Sequence, residues 1–249
     1  GRSKDNRVLT VVGNHYKPVQ NAEAFSFFKQ FVEAGDARME TAGSLKGGRL
    51  VWGLADLDVG FSVGRGDEVH GYLLVCAPHE AGRSLIMRVT TVRVVCNNTL
   101  NLAMREAAPE FRMPHRCVFD EGMQVRAAEA LGLARQQVKD FRQNVNALKG
   151  HNMSLDEVLE FTAELFAPVG RSVADVVEKP TRRVKRILDV YHNAPGAEPG
   201  SAWGALNAVT YYADHLAGGN ADSRVSSAWL GVMDNIKQKA FRKLMKAAA

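Results

Sequence analysis

SLIMRVTTVRVVCNNTLNLAMR, residues 84–105, carries the clearest local signal in this chain. Isoleucine, valine and threonine fill its first half, and such β-branched residues favour an extended strand. Asn97 and Asn98 follow, and either can accept the first free amides of a helix that the next leucines continue. Arg88 and Arg93 lie on the strand itself. The stretch therefore predicts a strand that runs directly into a helix, with arginines that could face a polyanion.

Strand and turn signals upstream extend this unit into a sheet. Gly47 and Gly48 separate two segments, and a Gly-Gly pair is a strong signal for a two-residue β-hairpin because both residues accept positive φ. A helix is predicted over residues 21–34. The predicted strands are residues 8–12, 38–46, 49–59, 69–77 and 83–96. We therefore expect an α+β fold, an antiparallel β-meander with packed helices in a β-β-β-β-α core.

The second half of the chain has helical periodicity. Ser154 and Glu157 form a capping-box pattern, in which each residue satisfies a free amide at the start of a helix. The predicted helices are residues 122–149, 154–166, 181–192, 202–216 and 223–246. These patterns predict a sheet-helix core over residues 1–120 and a helical region over residues 121–249, packed on the core as one unit.

Composition restricts the classes of protein to which the chain can belong. Of the 249 residues, 46% are hydrophobic, as is typical of a folded domain. The formal net charge of +5 is compatible with an anionic partner. No apolar run approaches the roughly 18 residues of a membrane span. Three cysteines are an odd number and do not make a disulfide framework. We expect a cytoplasmic protein with no membrane contact.

Basic residues cluster on the predicted sheet and in the helical half. Arg88 and Arg93 are an odd number of positions apart, so a regular strand points them to opposite faces unless a bulge intervenes. Residues 179–186 and residues 237–246 each hold five cations on a helix with an apolar face. These sets could follow a phosphate backbone, or they could be ordinary solvated faces. The candidate nucleic-acid contacts are Lys46, Arg49, Arg83, Arg88, Arg93, Arg135, Lys139, Arg182, Arg183, Lys185 and Arg186.

Aromatic rings that could stack on bases are sparse in the sheet half. The candidates are Tyr16, Trp52, Phe61 and Tyr72, and packing in the core is the commoner use of such residues. Base stacking therefore adds little to the case for a nucleic-acid ligand.

A zinc site is the strongest alternative among the metal-binding patterns. Cys76 with His79, and His115 with Cys117, have the short spacing of zinc-ligand pairs. Both cysteines adjoin hydrophobic segments, however, where a free cysteine is commonly a small buried residue. We therefore expect that the four side chains do not converge and that the chain holds no metal.

Nuclease and nucleotide-binding chemistry also lack a complete pattern. Asp56, Asp58, Asp67 and Glu68 could hold two magnesium ions, but no lysine or histidine base is evident beside them. The glycine turns at residues 47–48 and 64–66 lack the lysine and serine of a phosphate loop. The sequence therefore predicts no catalytic residue and no cofactor.

Five blocks of sequence carry a family resemblance: VGNHYKPVQN at residues 12–21, GSLKGGR at 43–49, RVVCNNTL at 93–100, AWGALNAVT at 202–210 and Asp214-His215. Together they resemble the phage/plasmid-like family of uncharacterised proteins found in bacteriophage, plasmid and bacterial genomes. The order of sheet and helix also resembles the core of the phage single-strand annealing recombinases, the Erf and Red-beta groups. That second likeness is one of topology and genomic setting, and no motif transfers a residue role.

These observations lead to one main functional hypothesis and two alternatives. The chain is expected to be a non-catalytic, homo-oligomeric protein of phage or mobile-element origin that binds and anneals single-stranded DNA in recombination. The resemblance and the basic clusters both favour this hypothesis. An enzyme that acts on nucleic acid or a small molecule, with a site hidden from sequence reading, and a protein-interaction module remain open.

Overall fold

A computed structural model describes residues 2–33, 37–64, 66–101, 110–118, 120–132 and 134–249. Within them, an antiparallel sheet of six strands is followed by a helical second half. Five strands lie in the order β1-β2-β3-β4-β5, and β6 pairs with β4 outside that path. The predicted α+β class, an antiparallel meander followed by helices, is confirmed.

The strands and helices have the following bounds. One helix precedes the sheet, α1 at Asn21–Glu33. The strands are β1 at Arg38–Leu45, β2 at Leu50–Gly64, β3 at Asp67–Pro78, β4 at Ser84–Arg93, β5 at Asn98–Asn101 and β6 at Phe111–Pro114. The later helices are α2 at Glu121–Leu131, α3 at Ala134–Gly150, α4 at Leu155–Phe166, α5 at Val173–Glu178, α6 at Arg182–Asn193, α7 at Ala202–Tyr211, α8 at Ala221–Leu230 and α9 at Val232–Ala248.

The first hairpin joins β1 and β2 as predicted, but its turn is longer than two residues. Leu45 pairs with Leu50, and a short 3-10 turn covers Lys46–Gly48. Gly47 and Gly48 have φ of 66° and 93°, and Lys46 also adopts a positive φ of 53°. Because three successive residues leave the extended conformation, the connection takes four residues and the predicted two-residue turn is wrong.

The strand predicted over residues 8–12 does not form. This segment has no regular secondary structure, and the side chains of Val8 and Val11 are 65% and 86% exposed. A β-prone sequence becomes a strand only where a neighbouring backbone accepts and donates its hydrogen bonds. Among the described residues, no strand pairs with this segment.

The helix predicted to begin at Asn97 or Asn98 is also wrong. Residues 94–97 form a turn in which Asn97 has a φ of 51°, and the chain then continues as β5. Neither asparagine caps a helix. Instead, the side-chain amide of Asn98 donates to Asn207 O at 3.2 Å, and the backbone amide of Thr99 donates to Asp214 Oδ2 at 2.6 Å. Residues 102–109, which include most of the predicted helix, lie outside the described residues.

Most helices of the second half were predicted, with different boundaries. The capping box of Ser154 and Glu157 is present at the start of α4. The helix predicted over residues 122–149 is instead α2 and α3. α7 continues as a π-helical turn over Tyr212–Leu216, and Gly231 leaves helical geometry between α8 and α9. α5 was missed because its six residues are too few to show a periodic pattern.

The chain divides into two compact units, each drawn from several segments. Unit 1 comprises residues 1–60, 70–91 and 105–139, and unit 2 comprises residues 61–69, 92–104 and 140–249. The sequence instead suggests one boundary near residue 120. In unit 1 the core includes Phe28, Leu74, Met87 and Met113; in unit 2 it includes Phe141, Ile187, Leu206 and Leu244.

Candidate nucleic-acid interface

Helix α6 buries its apolar side chains and exposes its cationic ones. Val184, Ile187, Val190 and Tyr191 are buried in unit 2. Four predicted contacts lie on the opposite, exposed face and form no ion pair with any described residue: Arg182, Arg183, Lys185 and Arg186. We call these four residues the α6 basic face.

The α6 basic face occupies an electrostatically unfavourable place on the helix. Thr181 caps α6 by accepting a hydrogen bond from Val184 N at 3.2 Å, and the first turn contains no acidic residue. The amino end of a helix carries partial positive charge, so each exposed cation in the first turn costs about 0.3–1 kcal/mol. An anion bound at this end would offset that repulsion and would also meet the cationic side chains.

Packing also orients one residue of the α6 basic face. The Arg183 guanidinium carbon lies 5.5 Å from the centre of the Phe166 ring, over the ring. Such a cation–π contact restricts the side chain while leaving its outer edge open to hydrogen bonds. The guanidinium is therefore partly pre-organised, and less conformational entropy would be lost when it binds an anion.

The second basic cluster, on α9, is less uniform than the sequence suggested. Lys237 is fully buried, and Lys243 forms an ion pair with Glu164. Lys239, Arg242 and Lys246 are exposed. Lys246 lies in the last turn of α9, where the helix dipole stabilises cations. Burial, ion pairing and the helix dipole thus account for Lys237, Lys243 and Lys246, whereas none of them accounts for the α6 basic face.

Three predicted contacts of unit 1 meet at one end of its sheet. Glu80 lies 3.9 Å from Lys46 Nζ and 3.7 Å from Arg83 Nε. The turn that holds Glu80 also approaches the first hairpin, because His79 N donates to Arg49 O at 2.6 Å. The side chains of Arg49 and Arg83 are exposed. This end of the sheet is therefore basic, although one carboxylate compensates two of its three cations.

Arg93 is a structural residue rather than an exposed contact. It is 4% exposed, and its Nε and Nη2 donate to Asp67 Oδ2 at 2.8 Å and 2.5 Å. Nη2 also donates to Gly196 O at 2.8 Å and lies 3.7 Å from Glu198. The guanidinium lies over the Trp203 ring at 5.5 Å. Arg93 and these partners all lie in unit 2, and they leave its guanidinium no free face for a phosphate.

Arg88, like Arg93, is buried and paired with a carboxylate. It is 7% exposed and pairs with Glu110 Oε2 at 3.1 Å. Nearly every residue of β4 is buried, so the odd spacing of the two arginines points each to a covered side.

In unit 1, Arg135 is exposed and its Nε donates to Leu57 O at 3.1 Å, whereas Lys139 projects into solvent.

A buried polar network in unit 2 was missed by sequence reading. Lys237 Nζ donates to Thr99 O, Thr99 Oγ1 and Asp214 Oδ1 at 2.8, 2.9 and 2.8 Å. Asp214 Oδ2 accepts from the backbone and hydroxyl of Thr99. All three ammonium protons of the lysine thus have acceptors, which makes its role structural. Its position four residues from Met233 and Phe241, on the buried stripe of α9, was the available signal.

The two histidines among the candidate zinc ligands have other partners, and both cysteines are free thiols. Cys76 is buried, and His79 Nε2 lies 2.8 Å from Asn21 Oδ1. His115 Nε2 lies 2.8 Å from Pro78 O, and its ring stacks on Tyr16 with centroids 4.6 Å apart. Among the described residues, no group of three or more potential ligands gathers. Where the sequence suggested a magnesium pair, Asp56 is held by Arg38 at 3.2 Å and Asp67 by Arg93.

The aromatic candidates are all half-buried. Phe61 packs edge-on against Phe141, with ring centres 6.0 Å apart. Burial, followed by the negative charges of Glu40 and Asp56, raises the pKa of Tyr72 to about 12, so this phenol is neutral at physiological pH. None of the four rings forms an exposed stacking platform.

A comparison with protein-family models decides the family. The model of a domain of unknown function, DUF932, matches residues 8–242. The chain belongs to this family. No curated protein and no solved structure matches it. The predicted membership of an uncharacterised family is confirmed, whereas the links to phages and to annealing recombinases stay predictions.

The five blocks that carry the resemblance all lie within the DUF932 match. The blocks at residues 93–100, 202–210 and 214–215 meet in unit 2, where Asn98 Nδ2 donates to Asn207 O and Thr99 donates to Asp214 of the buried network. The blocks at residues 12–21 and 43–49 meet in unit 1, around a cavity that contains Tyr16 and Ser44 in its walls. Also among the described residues, no helix is both long and apolar enough to cross a bilayer.

Proposed function

We propose that this DUF932 protein is a non-catalytic, cytoplasmic protein of mobile elements that binds single-stranded DNA and promotes annealing as a homo-oligomer. The observation that supports the proposal is the α6 basic face, four exposed cations at the amino end of one helix that form no ion pair within the described part of the chain. Three free cysteines agree with a reducing compartment. The overall charge of +5 has the sign that a nucleic-acid ligand requires.

Phosphate contacts of this kind bind without reading sequence. Arginine and lysine side chains neutralise phosphates and release condensed counterions, and this effect supplies most of the affinity of non-specific binding. Arg183, already stacked on Phe166, would engage a phosphate with its free edge. The proposed surface therefore comprises Arg182, Arg183, Lys185 and Arg186, with Lys179 exposed just before the helix. The buried Arg88 and Arg93 are not part of it.

The test compares two variants that lose the same charge. One replaces Arg182, Arg183, Lys185 and Arg186 with alanine, and the other replaces Lys4, Lys239, Arg242 and Lys246, which are exposed elsewhere. Affinity for a labelled strand of about 30 nucleotides is measured by fluorescence anisotropy over a range of salt. Each phosphate contact with a single strand contributes about 0.7 to the slope of log K against log salt. The first variant, which loses four cations, should therefore show a slope that is shallower by up to about 3.

The control variant should keep most of both affinity and slope. Because loss of cations at the amino end of α6 relieves repulsion, the first variant should melt no lower than the native protein, so weakened binding would not reflect unfolding. Equal losses in the two variants would show that net charge, rather than the α6 basic face, is responsible. Folded protein that binds no strand at low salt would refute the proposal.

Assembly and annealing have a separate readout. Light scattering should show a larger particle when a strand is added. Annealing of complementary strands should peak near the protein amount that coats them, because excess protein occupies both strands separately. A monomer with and without DNA would exclude the annealing part while leaving strand binding intact.

A further inference from the structure

One β-prone segment of unit 1 lies exposed and unpaired. Residues 8–12 read VLTVV, a composition that favours an extended strand, and the side chains of Val8 and Val11 are 65% and 86% exposed. The backbone of this segment forms no hydrogen bond within the described part of the chain. A neighbouring backbone from another molecule would therefore complete the strand that this sequence favours.

The same segment borders an open groove of about 800 Å³. The other walls of the groove are the turn between β3 and β4 and the end of β6, and all of these segments belong to unit 1. We call the depression the valine–arginine groove, after Val11 and Val12 on one wall and Arg83 and Arg116 on the others. Its volume lies in the range of sites that hold a ligand larger than a single ion.

The two arginines lie together and retain most of their positive charge. Ser84 of β4 pairs with Pro114 of β6. Arg83 precedes the first of these and Arg116 follows the second, so both lie at the same end of the strand pair. Arg116 forms no ion pair with any described residue, and Arg83 shares Glu80, at 3.7 Å, with a second cation. No acidic side chain is among the described residues that line the groove, so this end attracts a negatively charged group.

This positive end of the groove lies beside the carboxyl end of residues 8–12. The backbone N–H of Lys17 donates to His115 O at 2.6 Å, and the Tyr16 ring stacks on the His115 ring with centroids 4.6 Å apart. The chain that leaves the segment thus runs directly to the residue before Arg116. A partner strand that paired antiparallel with the segment would place its own amino end beside the arginines.

The mixture of charge and apolar surface selects among ligands. A lone anion would leave the exposed valines in water. A nucleic-acid strand carries a phosphate on every nucleotide, whereas the arginines of the described lining lie at one end of the groove. A peptide with acidic residues at one end and β-branched residues after them matches both parts. Its backbone would also pair with residues 8–12, a mode in which main-chain hydrogen bonds give affinity and side chains give specificity.

We propose that the valine–arginine groove binds an extended acidic peptide of a partner protein, which adds a strand to residues 8–12. The acidic end of the peptide lies at Arg83 and Arg116, and its apolar side chains cover Val11 and Val12. This site is separate from strand binding by the α6 basic face and does not depend on it, because the groove belongs to unit 1 and α6 to unit 2.

The experiment measures binding of labelled peptides to the full chain by fluorescence anisotropy. The probe is Asp-Asp-Asp-Val-Thr-Val-Thr-Val, which should bind, and a peptide with lysine in place of each aspartate should not. Arg83→Ala combined with Arg116→Ala should weaken binding about tenfold or more, because charge-assisted hydrogen bonds are lost. Lys4→Ala combined with Arg126→Ala removes two exposed cations of unit 1 outside the groove. This matched control should bind as the native protein does.

Separate measurements test the apolar contact and the backbone pairing. Val11→Ser should weaken binding several-fold, whereas Val125→Ser, at a position that is 56% exposed on α2, should not. Alternate residues of a strand direct their N–H groups to the same neighbour. Of two peptides N-methylated at alternate positions, one should therefore lose binding and the other keep it. The amides of residues 8–12 should also exchange more slowly when the acidic peptide is bound.

The proposal is wrong if folded protein binds neither the acidic peptide nor its reversed sequence at about 1 mM, or if residues 8–12 gain no protection from exchange. Protection that rises with protein concentration alone would instead assign the segment to a second copy of the chain. Weaker strand binding in the variant of Arg83 and Arg116, without peptide binding, would assign the groove to DNA. The alanine variant of the α6 basic face should still bind the peptide, so failure of the strand proposal is separable.

Discussion

Arg93 and Arg182 carry the same guanidinium, yet the molecule uses them in opposite ways. Arg93 is 4% exposed and has two carboxylates, one carbonyl and one indole around it. Arg182 is exposed at the start of α6 and forms no ion pair with any described residue. The buried arginine therefore contributes to folding, and the exposed one is available to a ligand. The number of basic residues in a segment does not distinguish these uses, because the distinction depends on acidic residues that are distant in sequence.

The largest effect should come from Arg93→Met. The substitution leaves the buried Asp67 without its cation, whereas Glu198 keeps Lys149 at 3.4 Å, and removal of one partner from a buried ion pair typically costs about 3–5 kcal/mol. Because Gly196 O also loses its donor and Trp203 its stacked guanidinium, we expect the upper end of that range in urea unfolding. Strand binding by the folded fraction should remain unchanged. Weaker binding with normal stability would place Arg93 at the ligand and break the comparison.

The next effect distinguishes two lysines of α9 that are two residues apart. Lys237→Met removes the cation that faces Asp214, a buried carboxylate that keeps its hydrogen bonds from Thr99. The loss should therefore be about 3 kcal/mol, the lower end for a buried pair. Lys239→Met is the matched control, since Lys239 is exposed, and it should change the free energy of unfolding by less than about 0.5 kcal/mol.

Equal unfolding free energies for these two lysine variants would show that the buried network contributes no net stability. Hydrogen exchange at Thr99 gives an independent readout, because its backbone amide donates to Asp214; the destabilised site should open more often and exchange faster in Lys237→Met, but not in Lys239→Met.

Sequence reading succeeded where short-range chemistry determines the structure. The capping box of Ser154 and Glu157 depends on four consecutive residues, and it was predicted correctly. The glycines at 47 and 48 also predicted a hairpin, because positive φ is a local requirement. The strand of residues 84–93 could be recognised for the same reason, since its β-branched residues are contiguous.

Sequence reading failed where distant partners override local preference. Asn98 resembles a helix cap, yet its amide donates to Asn207 O and Thr210 Oγ1 more than 100 residues later in the chain, and β5 forms instead. The same limit applies to the candidate site. Arg88 and Arg93 pair with carboxylates that are distant in sequence. The cavity between residues 9–12 and β1 likewise depends on tertiary contacts, and such contacts leave no periodic pattern in the sequence.

The smallest effect concerns helix amino ends, where α4 and α6 carry opposite charge. In α4, Glu157 accepts hydrogen bonds from the backbone and hydroxyl of Ser154, and these bonds lower the pKa of its carboxyl. A carboxyl whose pKa is lowered by folding stabilises the protein above its ordinary pKa, and that contribution is lost as pH falls through the lowered value. Glu157→Gln should therefore melt below the native protein at pH 7, and the two should converge in acid. Glu160→Gln, exposed on the same helix outside the cap, is the control and should show no such convergence. If the melting temperature of Glu157→Gln stayed below that of the native protein by the same amount at acid pH, the carboxylate charge would not act at the helix end. The electrostatic argument for an anion at α6 would then be weaker as well.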